Sequence, residues 1–329
     1  MSIKYKYLYY SILIIFLYVV ISGVLYLFSS LLLIKGKVLN ISPFKNFQIN
    51  FYNQVGYRNI WQAQKECITF DNELIYVPKI GKCIFKNPEF FTELNFTDVG
   101  RYQKSSNTNN NKSNNIFIIG DSHAMGWGVN DDETFSFLLS KNLNIKSINF
   151  AVSSYATYRE ILRLKLSNLL KKEDLIIIQY SSNDFGENTN YKKNINSNIE
   201  FSKLINEKLS NFEKIRKIIR YSITIPIEII FKDENLILDW NDHKKFFFDI
   251  LDSNDFLKDN KIILININSP NIFFKNFNNS SENKNLFFLN IDYSKRDFFI
   301  VDGHLNKDGH VKTSDEIINF IKQNKLLEN

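Results

Sequence analysis

The sequence predicts an α/β fold with a mostly parallel sheet, placed behind one membrane-spanning helix. Two observations lead to this class. The first is a charge-free, strongly apolar run at residues 7–34, and the second is a series of short β-branched runs separated by helical stretches after residue 113. At 329 residues, the chain can hold a membrane segment, a stem and one domain of about 200 residues with a full core.

Composition and charge narrow the functional classes. Hydrophobic residues make up 44% of the chain and aromatic residues 15%, which indicates a folded rather than a disordered protein. The net charge is +6, but Lys is mixed with Asp and Glu instead of forming one basic stripe, so nucleic acid is not predicted as a partner. The two cysteines are too few and too far apart for the usual zinc sites. We predict no metal and no other cofactor.

The apolar run at residues 7–34 is longer than the ~20 residues that cross a ~30 Å hydrocarbon core. A cleaved signal peptide is the alternative. The run exceeds a typical signal-peptide core, however, and no small-x-small cleavage site closes it. We therefore predict that residues 1–37 form a single-pass membrane anchor.

The orientation of this anchor depends on the cysteines, because Lys residues flank both ends of the run and the positive-inside rule hardly discriminates. We predict a disulfide between Cys67 and Cys83, which in an oxidising compartment could contribute about 3 kcal/mol. Two unrelated buried thiols are the alternative. The disulfide favours a cytosolic N-terminus and a body outside the cytoplasm, in the periplasm or at the cell surface.

The rest of the chain divides into a stem and a larger domain. Residues 38–112 are predicted as a membrane-proximal stem with short strands and the disulfide, ending in a polar low-complexity tract at 105–115. Residues 113–325 are predicted as the α/β domain. Its predicted strands are residues 116–119, 145–152, 175–179, 262–267 and 286–291.

Two amphipathic helices are predicted to cover this sheet. One begins after the acidic residues 131–133, which we expect to cap it, and the other lies near residues 311–321. Residues 190–260 are predicted as an insertion, in which residues 212–231 mix Lys and Arg with Ile. This segment is either a solvated helix or a helix that rests on lipid headgroups.

A candidate nucleophile, Ser122, follows the first strand in Gly-Asp-Ser-His, where open α/β sheets build their sites. A serine hydroxyl needs a base, and Asp302 and His304 follow the last strand. Residues two apart in an extended segment project to the same side, so Asp302 can orient the His304 ring while the ring activates Ser122. His310 is expected on the following helix, away from this role.

Two further segments can stabilise an oxyanion. Asn183 follows the third strand, and its neutral amide can donate a hydrogen bond to developing negative charge. Ser154 follows the second strand, where a tight turn could present a backbone N–H. Together with the backbone N–H of Ser122, these groups make three candidate donors.

These segments resemble the SGNH hydrolases, a branch of the GDSL esterase family, over about residues 113–325. The matching segments are Gly120-Asp121-Ser122-His123 and residues 149–155, 181–184 and 302–306. The resemblance implies a flavodoxin-like three-layer α/β/α fold, Ser-His-Asp chemistry without a metal, and ester substrates that are often acetyl esters of carbohydrate. Membrane-anchored bacterial relatives are often linked to surface polysaccharide. The chain departs from the family where Ser154 and Ser181 replace the usual glycines.

The leading hypothesis is a membrane-anchored serine esterase acting on acyl, especially O-acetyl, esters, with surface polysaccharide as a candidate substrate. The alternatives are an O-acyltransferase that uses a sugar hydroxyl as acceptor, a catalytically weak glycan-binding or assembly module, and a lipase-like enzyme that uses residues 212–231 at the bilayer. The predicted partners are the membrane and an acyl ester or glycan. The acyl group, the acceptor and the oligomeric state are not predicted.

Overall fold

A computed structural model describes residues 3–102, 114–190, 196–206, 209–231, 240–267 and 285–327. The predicted polar tract at 105–115 therefore lies almost entirely outside the described residues, as do three pieces of the predicted insertion at 190–260. The described helices are α1 (Ile3–Ile34), α2 (Phe44–Gln54), α3 (Ser122–Met125), α4 (Phe135–Leu143), α5 (Thr157–Ser167), α6 (Asp184–Asn188), α7 (Ser197–Asn206), α8 (Asn211–Phe231), α9 (Trp240–Asp252) and α10 (Lys307–Asn324). The described strands are β1 (Ile68–Asp71), β2 (Ile75–Pro78), β3 (Gly81–Asn87), β4 (Phe90–Thr97), β5 (Gly100–Arg101), β6 (Ile116–Ile119), β7 (Ser147–Asn149), β8 (Leu175–Tyr180), β9 (Lys261–Asn266) and β10 (Leu286–Asn290).

The central sheet has the order β10-β9-β8-β6-β7-β5-β4-β3. Its five strands from β6 to β10 are parallel. Numbered along the chain, these five lie in the order 2-1-3-4-5, which is the order of flavodoxin-like sheets. The predicted α/β class and parallel sheet are confirmed. Four of the predicted strands end within one residue of the observed ends, whereas the run at 145–152 contributes only Ser147–Asn149.

Alternate residues of the parallel strands point into two separate cores, as the two-residue period of a strand requires. On one face, Ile116, Ile118 and Ile177 pack in a cluster with residues of α4 and α10. On the other face, Phe117 and Ile176 pack with residues of α5 and α9. Helices thus cover both faces of the sheet, and this explains why the strands are apolar throughout. Burial of each such side chain stabilises the fold by about 1.5–3 kcal/mol.

The stem contributes to the same sheet. Strands β3, β4 and β5 pair antiparallel with one another, and β5 joins β7 through Arg101 and Asn149. Cys67 and Cys83 form a disulfide, with their Cα atoms 5.2 Å apart, which ties the start of β1 to β3. The boundary predicted at residue 112 therefore separates two parts of one sheet, and the division into stem and domain stays a prediction.

The start of α4 differs from the expectation. Residues 131–133 form a short 3-10 turn, and Thr134 caps α4 by accepting a hydrogen bond from the Phe137 backbone N–H at 3.2 Å. Asp131 instead binds Arg101, with 2.8 Å between Arg101 Nε and Asp131 Oδ1. The acidic residues therefore do not cap this helix, because a threonine after them occupies the N-cap position, which favours a short hydroxyl side chain.

Helix α1 is long and apolar enough to cross a membrane, by length and composition. Its surface is exposed up to Ile21, but beyond that point it packs against α2 and α8. Tyr26 and Leu33 are buried there in a cluster that we call the helical pack, which also contains Phe47, Phe51, Tyr52, Val55, Ile225 and Val301. The last part of α1 is therefore built into the folded body.

Candidate active site

Ser122 is presented by a sharp turn between β6 and α3. Gly120 has φ +156°, and a Cβ there would lie 2.7 Å from the Ala124 Cβ, so the turn requires glycine. Asp121 caps α3 by accepting a hydrogen bond from the His123 N–H at 2.8 Å. Gln179 of β8 accepts hydrogen bonds from the N–H groups of Asp121 and Ala124. The neighbouring strand therefore fixes the turn that carries Ser122.

The structure brings Ser122, His304 and Asp302 together. Ser122 Oγ lies 2.7 Å from His304 Nε2, and His304 Nδ1 is hydrogen-bonded to Asp302 Oδ1. All three residues are at least 91% buried. Gly303 lies between Asp302 and His304 in the chain and has φ +79°, a left-handed conformation that favours glycine. This turn allows the side chains of Asp302 and His304 to converge. This series has the connectivity that nucleophile, base and orienting carboxylate need.

The Asp302 carboxylate also accepts hydrogen bonds from residues other than His304. Its Oδ2 accepts one from the Tyr52 hydroxyl and one from Trp127 Nε1, at 3.2 Å for the latter, and lies 3.6 Å from Arg58 Nε. Burial alone would raise the pKa of Asp302, but the His304 ring, the Arg58 charge and the Tyr52 hydroxyl outweigh burial and hold this pKa well below its usual range. Asp302 therefore stays ionised.

Arg58 and Trp127 form a stack beside His304. The Trp127 and His304 rings lie parallel, with centroids 4.7 Å apart, and the Arg58 guanidinium lies 4.8 Å from the Trp127 ring. Arg58 Nη2 is also 3.1 Å from His304 Nδ1. That nitrogen can either donate to Asp302 or accept from Arg58, and the carboxylate charge favours donation to Asp302.

Glu89, in the turn between β3 and β4, holds the segment that carries Asp302. Its carboxylate accepts hydrogen bonds from the backbone N–H groups of Ile300, Val301 and Asp302, at 2.6, 2.7 and 2.7 Å. Burial raises the pKa of Glu89, although these three donors oppose that effect. The stem thereby supplies a support for the loop after the last strand.

Arg101 supports the segment after Ser122, as Glu89 supports the segment that carries Asp302. It is buried, and its guanidinium donates to the carbonyl oxygens of Met125, Gly126 and Val129 at 2.6–2.7 Å. Met125 is the last residue of α3, where carbonyl oxygens lack partners within the helix, so Arg101 satisfies one such group. A stem residue again fixes a loop of the site.

The three candidate oxyanion donors line one cavity with the Ser122 hydroxyl. The cavity has a volume of about 370 Å³, and its lining consists of Arg58, Ile60, Gln62, Asp121, Ser122, His123, Trp127, Ser153, Ser154, Ser181, Ser182, Asn183, Asp302, Gly303 and His304. The Asn183 amide nitrogen is 3.3 Å from Asp121 Oδ2, and the Ser181 hydroxyl contacts both of these residues. Most of the lining side chains are polar, and five of them are serines.

Ser154 adopts the left-handed conformation with φ +62°, in spite of its Cβ. Three contacts hold this turn: Gln62 Nε2 donates to Ser154 Oγ at 2.5 Å, Arg159 Nη2 donates to the Ser154 carbonyl at 2.7 Å, and the Tyr76 hydroxyl donates to the Ser153 carbonyl at 2.6 Å. A non-glycine residue in this region costs roughly 1–2 kcal/mol. Serine thus adopts a turn conformation that normally favours glycine, and Gln62 and Tyr76 of the stem, with Arg159 of α5, hold it in place.

The two other described histidines of these segments are buried and neutral. Burial and the neighbouring His304 lower the pKa of His123 to about 3. Burial and Arg101 lower the pKa of His310 to about 3, and His310 lies on α10, as expected, with its ring stacked on Phe135. Neither ring lies within the series of Ser122, His304 and Asp302.

Sequence reasoning missed Tyr52, Arg58, Gln62, Glu89 and Trp127. Four of these lie in the stem, before the segments that resemble a known family, and no periodicity or motif connects them to residues 122–304. Trp127 alone stands close to a recognised segment, five residues after Ser122. Among the residues that the structure describes, no cluster of three or more His, Cys, Asp or Glu side chains could hold a metal ion.

Residues 116–317 match the model of the GDSL-like lipase/acylhydrolase family. The match covers more than half of the chain, and it includes the segments that carry Ser122, Asn183, Asp302 and His304. The chain belongs to this family. It is accordingly a hydrolase of ester bonds. A search of curated protein sequences found no match.

Solved structures of related fold include a putative lipolytic protein of the G-D-S-L family from Desulfitobacterium hafniense DCB-2, with 11% identity and a TM-score of 0.39 over 62% of this chain and 98% of that one. The psychrotrophic esterase EstA from Pseudoalteromonas sp. has 16% identity and a TM-score of 0.35, over 64% and 97% of the two chains. A carbohydrate esterase family 2 enzyme with a carbohydrate-binding domain from Corynascus thermopiles (Myceliophthora fergusii) has 12% identity and a TM-score of 0.38, over 68% and 69%.

Proposed function

We propose that the protein is a membrane-anchored serine esterase in which Ser122 is the nucleophile, His304 the general base and Asp302 the orienting carboxylate. The observation that supports this is the hydrogen-bonded series, with 2.7 Å between Ser122 Oγ and His304 Nε2 and the other ring nitrogen bound to Asp302. Nucleophile and base within hydrogen-bond reach, with the base oriented by a third group, is the arrangement of serine hydrolases.

The reaction proceeds in two halves. His304 takes the hydroxyl proton as Ser122 Oγ attacks the ester carbonyl, and Asp302 stabilises the imidazolium. His304 then protonates the leaving alcohol, which departs and leaves an acyl-enzyme. Water attacks this ester with His304 again as base, and His304 returns the proton to Ser122 Oγ as the acid product leaves. The backbone N–H groups of Ser122 and Ser154 and the Asn183 amide stabilise the oxyanion in both halves.

The lining of the cavity supports a short acyl group on a polar alcohol. Ser153, Ser154, Ser181, Ser182 and Gln62 supply hydroxyls and an amide around Ser122. These groups can hydrogen-bond a polyhydroxylated substrate, whereas a long acyl chain would bury them without partners, at about 1–3 kcal/mol each. The substrate class we propose is therefore an O-acetylated carbohydrate, such as a surface polysaccharide.

The test uses the full-length protein in detergent micelles with a chromogenic acetyl ester. Ser122→Ala should lower kcat by about 10⁴-fold or more, because no other group replaces the nucleophile. Ser202→Ala, an exposed serine on α7, is the matched control and should keep wild-type activity. Equal turnover by wild type and Ser122→Ala would refute the proposal. Labelling of Ser122 by a fluorophosphonate without turnover of any ester would replace hydrolysis with acyl transfer or binding.

We further propose that α1 anchors the chain and that the body lies outside the cytoplasm. The length and apolar surface of α1 support the anchor, and the Cys67–Cys83 disulfide supports an oxidising compartment. In protein isolated from its native membrane and denatured, a thiol reagent should label these cysteines only after reduction. Labelling before reduction would contradict the extracytoplasmic location.

A further inference from the structure

Helix α8 exposes a stripe of large apolar residues. Phe212, Ile215, Ile219 and Ile223 are 75, 56, 57 and 51% exposed. Their spacing of three, four and four residues places them on one face of a helix. Single exposed apolar residues are ordinary on protein surfaces, but an aligned row of four along three turns marks a contact surface.

The opposite side of α8 packs against α1. Ile225 is buried in the helical pack, and the Ser222 carbonyl oxygen lies so close to Gly23 that a Cβ there would be 3.0 Å from it. Near the other end, Lys214 lines a cavity with Leu33 and Ile34. Helix α8 therefore runs antiparallel to the last part of α1, and its exposed stripe lies at the level where α1 ends.

Helix α1 is longer than one bilayer crossing needs. The candidate span from Lys4 to Ile34 has 31 residues, which at 1.5 Å per residue is about 46 Å, against a hydrocarbon core of about 30 Å. The side of its last part that faces away from the helical pack is still apolar and exposed, at Val24, Leu27, Phe28, Leu31 and Ile34. Two adjoining helices thus present apolar side chains at one level.

Basic residues accompany the stripe. Helix α8 contains Lys214, Arg216, Lys217 and Arg220 against two acidic residues, Glu213 and Glu228, and Lys35 and Lys37 follow the end of α1. Arg216 and Arg220 are exposed, one turn apart and next to the apolar stripe. Apolar side chains beside a row of cations are typical of helix surfaces that contact a bilayer with anionic lipids.

We infer that the exposed face of α8, formed by Phe212, Ile215, Ile219 and Ile223, docks on the anionic bilayer that α1 enters. Because α8 runs along α1, the stripe passes from the headgroups into the acyl chains: its Phe212 end lies toward the water and its Ile223 end among the acyl chains. Arg216 and Arg220 pair with lipid phosphates. This inference rests on the proposed anchoring by α1. The folded body would then contact the membrane through α8 as well as through α1. This second contact limits how the body can rotate about α1.

Three single-cysteine variants of the full-length chain, spin-labelled in vesicles of phosphatidylcholine and phosphatidylglycerol, test the inference. Ile219→Cys reports on the stripe, Val20→Cys reports on the span of α1, and Lys141→Cys, exposed on α4, reports on water. The native cysteines remain in their disulfide. The label at 219 should be at least about fivefold less accessible to a polar nickel chelate than the label at 141, because the apolar interface excludes that reagent. When Arg216→Gln and Arg220→Gln are added to the Ile219→Cys variant, chelate access to the label at 219 should increase more in anionic than in neutral vesicles.

The possible results separate the claims. Equal chelate access at 219 and 141, with position 20 protected, would overturn the docking of α8 and leave the anchor standing. Chelate access at all three positions would overturn the anchor itself. Dipolar broadening between labels at 219, with the same protection in detergent as in vesicles, would replace the bilayer with a second copy of the chain and overturn the inference.

Discussion

Asp302 is the residue at which distant parts of the chain meet. Its carboxylate contacts His304 from the same loop, Tyr52 from α2, Trp127 from the segment after α3 and Arg58 from the stem. Hydrogen bonds to an ionised group contribute about 1.5–3 kcal/mol each, roughly twice as much as those between neutral groups. Tyr52 and Trp127 should therefore hold the carboxylate in the one orientation that also serves the His304 ring.

Tyr52→Phe tests this positioning role. Loss of one donor to Asp302 should lower kcat/KM for an acetyl ester roughly tenfold. The loss should fall on kcat rather than on KM, because Tyr52 contacts the Asp302 carboxylate and does not line the cavity. Tyr102→Phe, at an exposed tyrosine, is the control. An unchanged kcat in Tyr52→Phe would contradict the positioning role.

Ser154 allows a second prediction, on stability. Its left-handed conformation costs a residue with a Cβ about 1 kcal/mol that glycine avoids. Ser154→Gly and Ser154→Ala both lose the Gln62 contact, but only glycine relieves the backbone. The glycine variant should therefore be more stable than the alanine variant by about 1 kcal/mol in the free energy of unfolding, measured by chemical denaturation in micelles. The opposite order would show that the turn at Ser154 differs from the one described.

These residues show what sequence can and cannot predict about the site. Ser122 and Asn183 each come three residues after a strand, and Asp302 and His304 lie in the loop between the last strand and α10. The edge of a parallel sheet brings such loops together, so these candidates could be predicted from local pattern. Tyr52 and Asp302 are 250 positions apart. Nothing local in an ordinary amphipathic helix such as α2 indicates which buried group its tyrosine will reach.

At the scale of elements, the sequence predicts some strands of the sheet but not the place of others in it. The parallel strands could be predicted because burial on both faces makes them apolar throughout, as in Ile116–Ile119. Strands β3 and β4 alternate between buried and exposed residues, and their pairing within the main sheet depends on register with β5, which has only two residues. Local patterns predict strands, but not the sheet that an edge strand joins.

Helices α5 and α6 bring two acidic residues together without hydrogen-bond partners. Glu160 of α5 and Asp184 of α6 are buried, and no described group donates to their carboxylate oxygens. Burial, and then the charge of Asp184 and Asp121, raise the pKa of Glu160 well above its usual value, and burial and Asp121 do the same for Asp184. Folding therefore favours the uncharged form of both carboxyl groups.

This pair makes stability depend on pH. A raised pKa in the folded state contributes stability that is complete below the unfolded pKa of about 4.3 and is lost as the pH rises through the folded value. Glu160→Gln removes that loss, so its melting temperature relative to wild type should increase between pH 5 and pH 8. Glu200→Gln on the exposed face of α7 should show no such trend. A constant difference between Glu160→Gln and wild type at the two pH values would contradict the raised pKa of Glu160 in the folded protein.

At the scale of the whole molecule, the order of the strands decides where the site lies. Strand β6 has β7 on one side and β8 on the other, and the chain reverses direction across the sheet between them. The loops that leave β6, β7 and β8 diverge at this point and open the cavity that Ser122, Ser154 and Asn183 line. The stem then closes the cavity with Arg58 and Gln62, which the family segments alone do not contain.

The helical pack connects α1, the proposed anchor, to the candidate active site. Tyr26 and Leu33 of α1 lie buried with Tyr52, and Val301 of the same cluster is the neighbour of Asp302 in the chain. Under the proposed anchoring, a protease that cut between α1 and α2 could release the body only by separating α1 from the helical pack. The released body would lack the side chains that cover α2 and Tyr52, so its esterase activity should be lower than that of the intact chain.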